Sequence, residues 1–410
     1  MATPGHRCTF LVTLTLTCSL GMLASTIYVP SIPAIAEALA TSVSSVQFTF
    51  VGYLLAFALS MLVLGPFSDR YGRKRTMLFG VGLSALGSAA CAASPTISLL
   101  ILARVVQGIG LSAGMVVGRA LIRELYGREG AAQIIAGIAV AMTLVQSFAP
   151  IPGGYLQAWF GWRANFAAVA LFAILALVLV IRYVPQHGSP TQAISQTGFA
   201  LARAMLDSYR ALLRTRRFLA YALTATGSHS GFHIFAAGAP AVLIIGFGIA
   251  PEDYGYYASL PPIGFLVGSF LSNRLTRRLG IDSLIAIGSV LLIPAGVAMV
   301  GLAVLHVVSP FAVVGPMIVI CCSSGLITPN AVAGSLSGDA GVIGSASGLT
   351  SFLQMIGAAG ATAALSLGTS GNPIILSVVI ASAGLFAVTA FGSLIQPVRF
   401  LAKANASASL

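Results

Sequence analysis

Twelve stretches of about 20 mostly apolar residues run through this 410-residue chain, a pattern that no single water-soluble core can bury. They lie near 8–28, 44–64, 76–94, 97–119, 132–153, 164–182, 218–246, 254–273, 282–304, 310–330, 342–366 and 374–395, with 97–119 and 342–366 rich enough in Gly and Ser to look weak by hydropathy alone. A helix rises about 1.5 Å per residue, so about 20 residues cross a hydrocarbon layer roughly 30 Å thick. Inside that layer each backbone N–H and C=O must be paired, and a helix does this within the segment. The expected fold class is an all-α membrane protein of twelve transmembrane helices. Charged residues make up only 7% of the chain, against about 25% in soluble domains. The net charge of +12 does not indicate nucleic acid, because the basic residues lie in short strips between apolar runs. Arg7 precedes the first run as it would in a signal peptide, but no cleavage site follows, so this run is expected to be a retained span.

Those strips set the expected topology. If the first span leaves the cytoplasm, the inner loops hold Arg70, Arg73, Lys74, Arg75, Arg119, Arg123, Arg128, Arg203, Arg210, Arg214, Arg216, Arg217, Arg274, Arg277 and Arg278, and the outer loops hold Arg163. Cytoplasmic loops carry the excess of Lys and Arg, so both termini are expected in the cytoplasm. The polar stretch 183–217 divides the chain into a six-span bundle at 1–182 and a second at 218–410 with a short cytoplasmic tail. It opens as a linker (Pro185, Gly188, Pro190) and continues from Phe199 to Arg217 as an amphipathic helix expected on the inner membrane surface. The halves look related. Ser68-Asp69-Arg70-Tyr71-Gly72-Arg73-Lys74 follows the second span, and Ser272-Asn273-Arg274-Leu275-Thr276-Arg277-Arg278 follows the eighth. Internal repeats of this kind mark secondary transporters, whose substrate binds near the midplane between the halves.

The first of these loops, Gly65-Pro66-Phe67-Ser68-Asp69-Arg70-Tyr71-Gly72-Arg73-Lys74-Arg75, is the most specific signal in the chain. A glycine turn joins two spans, and one acid sits among cations, an arrangement able to lock one side shut. The same residues also suit simple positive-inside anchoring, and charge alone leaves both readings open. The loop resembles the loop 2–3 signature of the major facilitator superfamily, G-x-x-x-D-R-x-G-R-[RK]. Arg104-Val105-Val106-Gln107-Gly108 resembles that superfamily's span-four motif, and Pro150-Ile151-Pro152-Gly153-Gly154 resembles the end of its span-five antiporter motif. Gly161-Trp162-Arg163-Ala164-Asn165-Phe166 and Gly344-Ser345-Ala346-Ser347-Gly348-Leu349 are similar to the bicyclomycin/chloramphenicol-resistance branch of its drug:proton antiporters. The resemblance covers nearly the whole chain in order. It implies two six-helix bundles with pseudo-twofold symmetry about a central cavity, a gating loop built on Gly65, Asp69, Arg70, Gly72 and Arg73, and a span-five bend at Pro150, Pro152, Gly153 and Gly154.

Arg104 is the one basic residue deep within a span. An unpaired charge there costs about 2.5–3.5 kcal/mol on insertion scales, so Arg104 is expected either to serve a cavity, with Gln107 beside it, or to pin helices through carbonyls and amides. Glu37, Asp69, Glu124, Glu129, Asp207, Glu252, Asp253, Asp282 and Asp339 all fall in loops or at helix ends. The resembled branch carries an acid in span one shortly before Tyr-x-Pro, and aligning on Tyr28-Val29-Pro30 puts Thr26 there, which cannot change charge. His229 and His233, one turn apart on one helix face, are the candidates to carry a coupled proton in its place. The alternative is a pair hydrogen-bonded within the bundle. Further cavity candidates are Tyr28, Tyr53, Gln146, Phe232, Asn330 and Gln354.

A cavity holding Arg104, two histidines and no carboxylate disfavours lipophilic cations. The expected activity is export of a small neutral or anionic drug or metabolite by alternating access, in exchange for protons across a bacterial inner membrane. The alternatives are a proton-independent facilitator, a dedicated metabolite or siderophore exporter and, last, a non-transporting sensor. The expected partners are the substrate, the proton and the bilayer, with no nucleic acid, for a monomer. An enzyme is not expected, and neither a cofactor nor a metal: there is no nucleophile–base pair, ligand cluster or Walker-type loop. Cys8, Cys18, Cys91, Cys321 and Cys322 lack any framework spacing and read as free thiols. Gly110, Gly114 and Gly118 read as a small-residue face for close helix contact.

Overall fold

The structure, a computed structural model, describes residues 4–185, 198–336, 343–368 and 371–408. Helices account for nearly all of them, and no strand occurs among the described residues. In chain order they are α1 (Pro4–Thr26), α2 (Ile32–Ala38), α3 (Val43–Tyr71), α4 (Arg73–Ala93), α5 (Ile97–Phe148), α6 (Pro150–Phe160) and α7 (Trp162–Tyr183). There follow α8 (Gly198–Arg214), α9 (Arg216–Pro240), α10 (Pro251–Leu279), α11 (Ile281–Val304), α12 (Phe311–Ser335), α13 (Ile343–Ser366) and α14 (Pro373–Ala408).

Eleven of the described stretches are long and apolar enough to cross a membrane. The twelfth expected span, 254–273, lies in α10, whose 29 residues give it the length but whose tyrosines, serines and paired Pro261–Pro262 lower its hydropathy. Of the two Gly/Ser-rich runs, 97–119 falls in a clearly apolar span, whereas 342–366 falls in the least apolar of the eleven. Small residues dilute hydropathy less than tyrosine and proline do.

Three spans differ from their expected limits. The first extends to Ala38, because a short 3-10 turn (Val29–Ser31) and α2 follow α1, each with a proline in its first turn, where a missing N–H costs nothing. Spans four and five share α5, broken at Gly127 by a backbone conformation (φ 67°, ψ −172°) open to glycine alone. Arg119 consequently lies inside the fourth span, which runs from Ile97 to Gly127, and not in a loop. It is half-buried beside Cys18, Met115, Ile122 and Ile138.

Two compact units emerge. One comprises Met1–Ile194, Ala236–Leu260 and Ser366–Asn372, the other Ser195–Phe235, Pro261–Leu365 and Pro373–Leu410. In the first, α5 packs against α1, α3 and α4. Its glycines make the approach possible: a Cβ on Gly110 meets the backbone of Gly80 and Ser84, and one on Gly114 meets the Thr17 carbonyl. In the second unit α11 packs against α12 and α14, while Gly227 of α9 lies against Ala383 and Ala387 of α14, and Gly357 of α13 against Thr226. In helix α8, Tyr209 and Leu212 pack on Phe218, Ala222, Ala346 and Leu349. Burial there holds the Tyr209 phenol above its usual pKa. All five cysteines are free thiols.

Candidate functional site

Arg104 lies seven residues into α5, and its side chain is fully buried. Groups from four segments of the first unit surround it: α1 with the turn that follows, α3, α7 and α5 itself. The guanidinium carbon is 4.4 Å from the ring centre of Tyr28 and 4.4 Å from that of Tyr53, with Phe166 at 5.8 Å. Nη1 donates to the Ala24 carbonyl at 3.0 Å and to Gln107 Oε1. Gln107 Nε2 in turn donates to Ser88 Oγ at 2.8 Å, and the Tyr53 hydroxyl to the Gly21 carbonyl at 2.8 Å. Each desolvated aromatic face offers a cation about 2 kcal/mol. Rings and carbonyl-type oxygens thus stand where an acid is customary: among the described residues no carboxylate pairs with Arg104. Thr26 offers none, since its hydroxyl donates to the Met22 carbonyl one turn back in α1. Nε and Nη2 of Arg104 and the Tyr28 hydroxyl have no hydrogen-bond partner among the described residues, so the cage encloses the cation with donors to spare.

The glycine loop has its own geometry. Gly72, at φ 92°, turns the chain between α3 and α4. Arg73 donates through Nη1 to Ser68 Oγ and pairs with Glu124 of α5 through Nε at 2.9 Å and Nη2 at 2.8 Å. The Ser68 hydroxyl donates to the Gly65 carbonyl at 2.8 Å, Lys74 caps the Ile181 carbonyl at 2.8 Å, and Arg70 lies 5.6 Å from the Tyr71 ring centre. The side chain of Asp69 lies outside the described residues. In the second copy of the loop, Ser272 Oγ accepts from Asn330 Nδ2 of α12 at 2.7 Å, and Thr276 donates to Asn330 Oδ1 at 3.2 Å. The matching serine thus belongs to a tie to a later span in each copy, indirectly through the Arg73–Glu124 pair at Ser68 and directly through the Asn330 amide at Ser272. Asn330 is occupied in this tie. Glu124→Gln is expected to lower transport in proteoliposomes five- to tenfold, with a coupling to Arg73→Ala of about 1 kcal/mol in a stability cycle. A coupling near zero would mean that the contact holds nothing.

In the second unit, the His229 and His233 ring centres stand 4.7 Å apart, with Phe232 edge-on to His233 at 5.7 Å. His233 Nδ1 lies 3.4 Å from the His229 carbonyl. His229 Nε2 and, on α13, Gln354 Nε2 are buried without a partner. Beside them Ser324 and Thr328 of α12 donate to the carbonyl and hydroxyl of Ser228. Gln146 is half-buried in α5. No group of three potential metal ligands occurs among the described residues.

Pro150 opens α6, which follows α5 through a helical Ala149, and Pro152 stands a residue pair further on. A Cβ on Gly153 falls on the Ile27 backbone, and one on Gly154 on that of Pro251 and Glu252. Asn165 donates to the Gly153 carbonyl at 3.1 Å and to Ser31 Oγ at 2.8 Å, tying α6 and α7 to the end of span one. Sequence reasoning named Ser68, Asn165 and Phe166 only as members of motifs and Glu124 only as a loop acid, none of them as a site residue, and did not name Ser88. A polar residue within an apolar run was the available signal for Ser88 and Asn165; Glu124 gave none, its partner being 51 residues away.

Residues 14–362 match the family model described as Major Facilitator Superfamily. The chain is 28% identical over 278 residues to the bicyclomycin resistance protein homolog of Haemophilus influenzae, covering 68% of this chain and 69% of the relative. It is 26% identical over 356 residues to multidrug resistance protein D of Escherichia coli, covering 87% and 88%. The crystal structure of a D-xylose–proton symporter superposes with a TM-score of 0.74 at 14% identity, covering 93% of this chain and 97% of that one, a likeness of fold.

Proposed function

The chain belongs to the Major Facilitator Superfamily, and on that premise we propose that it is an exporter of a small neutral or anionic compound, drug-like or metabolic, in exchange for protons across a bacterial cytoplasmic membrane. The relatives named for bicyclomycin and multidrug resistance support export of drug-like molecules. The single observation that carries the charge preference is the buried, uncompensated Arg104 with unpartnered Nε and Nη2. A permanent cation at the heart of the first unit repels cationic substrates and gives an anion or a carbonyl oxygen something to bind. Alternating access follows from the family, with the Ser68–Arg73–Glu124 tie as one latch and Gly153–Gly154 as a close helix contact that opens and reforms.

The coupling site is proposed at His229 and His233, because Thr26 stands where the resembled branch carries its span-one acid and no carboxylate among the described residues pairs with Arg104. His229→Gln combined with His233→Gln is expected to flatten the pH dependence of export between about pH 5 and 8, where imidazoles ordinarily titrate. Unchanged pH dependence in the double variant removes the histidines from the mechanism. The same lack of an acid favours a second reading, a proton-independent facilitator.

One experiment separates them. Expressed in an efflux-deficient bacterium, the protein is expected to exclude neutral or anionic compounds, and a protonophore is expected to abolish the exclusion. Exclusion indifferent to the protonophore selects the facilitator. Strong export of ethidium-type cations that does not depend on Arg104 defeats the charge argument.

A further inference from the structure

We propose that α8 is a binding surface for acidic phospholipid headgroups. Helix α8 ends at Arg214 and α9 begins at Arg216, so a single residue, Thr215, separates it from a membrane span that starts at Arg216. A helix joined so closely to the mouth of a span lies at the level of the headgroups. Its circumference divides into three adjoining sectors at 100° per residue. Tyr209 and Leu212 face the protein, on Phe218 and Leu349. Next comes an apolar edge, Leu206 and Leu213, which are 55% and 42% exposed although nothing in water favours them there. Beyond that edge lie Arg210 and Arg214, both exposed, and the chain continues directly into exposed Arg216 and Arg217.

The order of the sectors suits one occupant. A leucine edge between the protein and a row of arginines can dip into the acyl boundary while the guanidinium groups reach phosphate, whose oxygens they bind in pairs. Asp207, the one acid with a described side chain on α8, stands 3.9 Å from Arg210 and leaves Arg214 and Arg216 to external anions, while Arg217 is engaged with Tyr221 of α9. Zwitterionic lipid satisfies the leucines equally well, so the arginines are what select net negative charge.

The test uses the whole protein in nanodiscs of phosphatidylethanolamine, with or without phosphatidylglycerol, and follows amide hydrogen exchange over 206–214. Phosphatidylglycerol is expected to slow exchange there, and each of Arg210→Gln and Arg214→Gln to reduce the gain about fivefold. Arg210→Lys with Arg214→Lys should keep most of it, and high salt should weaken it. Leu206→Ser with Leu213→Ser is expected to speed exchange in both lipids. Equal exchange in the two lipids, or a full phosphatidylglycerol effect in the double Gln variant, overturns the proposal. So does protection in detergent alone that matches the acidic nanodisc, since α8 is then held by the protein itself.

Discussion

Arg104→Ala is expected to reduce export by at least a hundredfold and to destabilise the protein by about 2–5 kcal/mol. The substitution strips a donor from the Ala24 carbonyl and from Gln107 Oε1 and leaves a gap between two aromatic faces in a fully enclosed place. Gln107 then has only Ser88 to hold it. Arg104→Lys separates charge from shape. An ammonium keeps the cation but not the flat plate that lies between Tyr28 and Tyr53, so about a tenfold loss of export is expected with milder destabilisation. Transport in proteoliposomes and a thermal melt in detergent read the two effects independently. Export by the alanine variant at the parent rate would make the cage a structural plug and remove Arg104 from the transport cycle.

Gly153→Ala should be the second severe change. At Gly153 the new methyl falls on the carbonyl of Ile27, with the rest of that backbone behind it. Neither helix can yield locally, so α6 must part from the end of span one, and Asn165 loses its simultaneous reach to Gly153 and Ser31. Overpacking of this kind costs about 1–3 kcal/mol, and export is expected to fall more than tenfold if, as proposed, the contact opens and reforms during transport. Gly137→Ala is the control: open space surrounds that position in the same stretch of chain, so stability should hold or rise by about 0.4–1 kcal/mol. Equal behaviour of the two variants would show that the close approach at Gly153 is unnecessary.

Fold class was legible because hydrocarbon imposes one solution on the backbone, and apolar runs of spanning length record it directly. Span 254–273 shows the limit of that signal. In α10, Tyr254 is fully buried and Ser259 nearly so, and side chains that face protein need not be greasy. Arg104 could be found by eye as a lone cation in an apolar run, and Tyr28, Tyr53 and Gln107 were selected individually as polar or aromatic residues in spans. That they form one cage depends on how four separate segments meet, which no local periodicity encodes. Glu124 and Asn330 failed in opposite ways. The acid read as an ordinary loop charge yet binds Arg73, and the amide read as a cavity group yet is taken up by Ser272 and Thr276. Both errors come from ties to the repeated loop, whose partners lie 51 and 54–58 residues away.

The cage around Arg104 also has an electrical meaning. Aromatic faces and carbonyls steady a cation without cancelling it, whereas a neighbouring carboxylate makes the pair neutral overall. The first unit therefore holds a standing positive charge within a spanning helix. One elementary charge carried across the whole membrane changes energy by about 2.3 kcal/mol per 100 mV. Any tilt or slide of α5 along the membrane normal is then a small current, and an interior-negative voltage biases the resting balance of conformations before any substrate or proton binds.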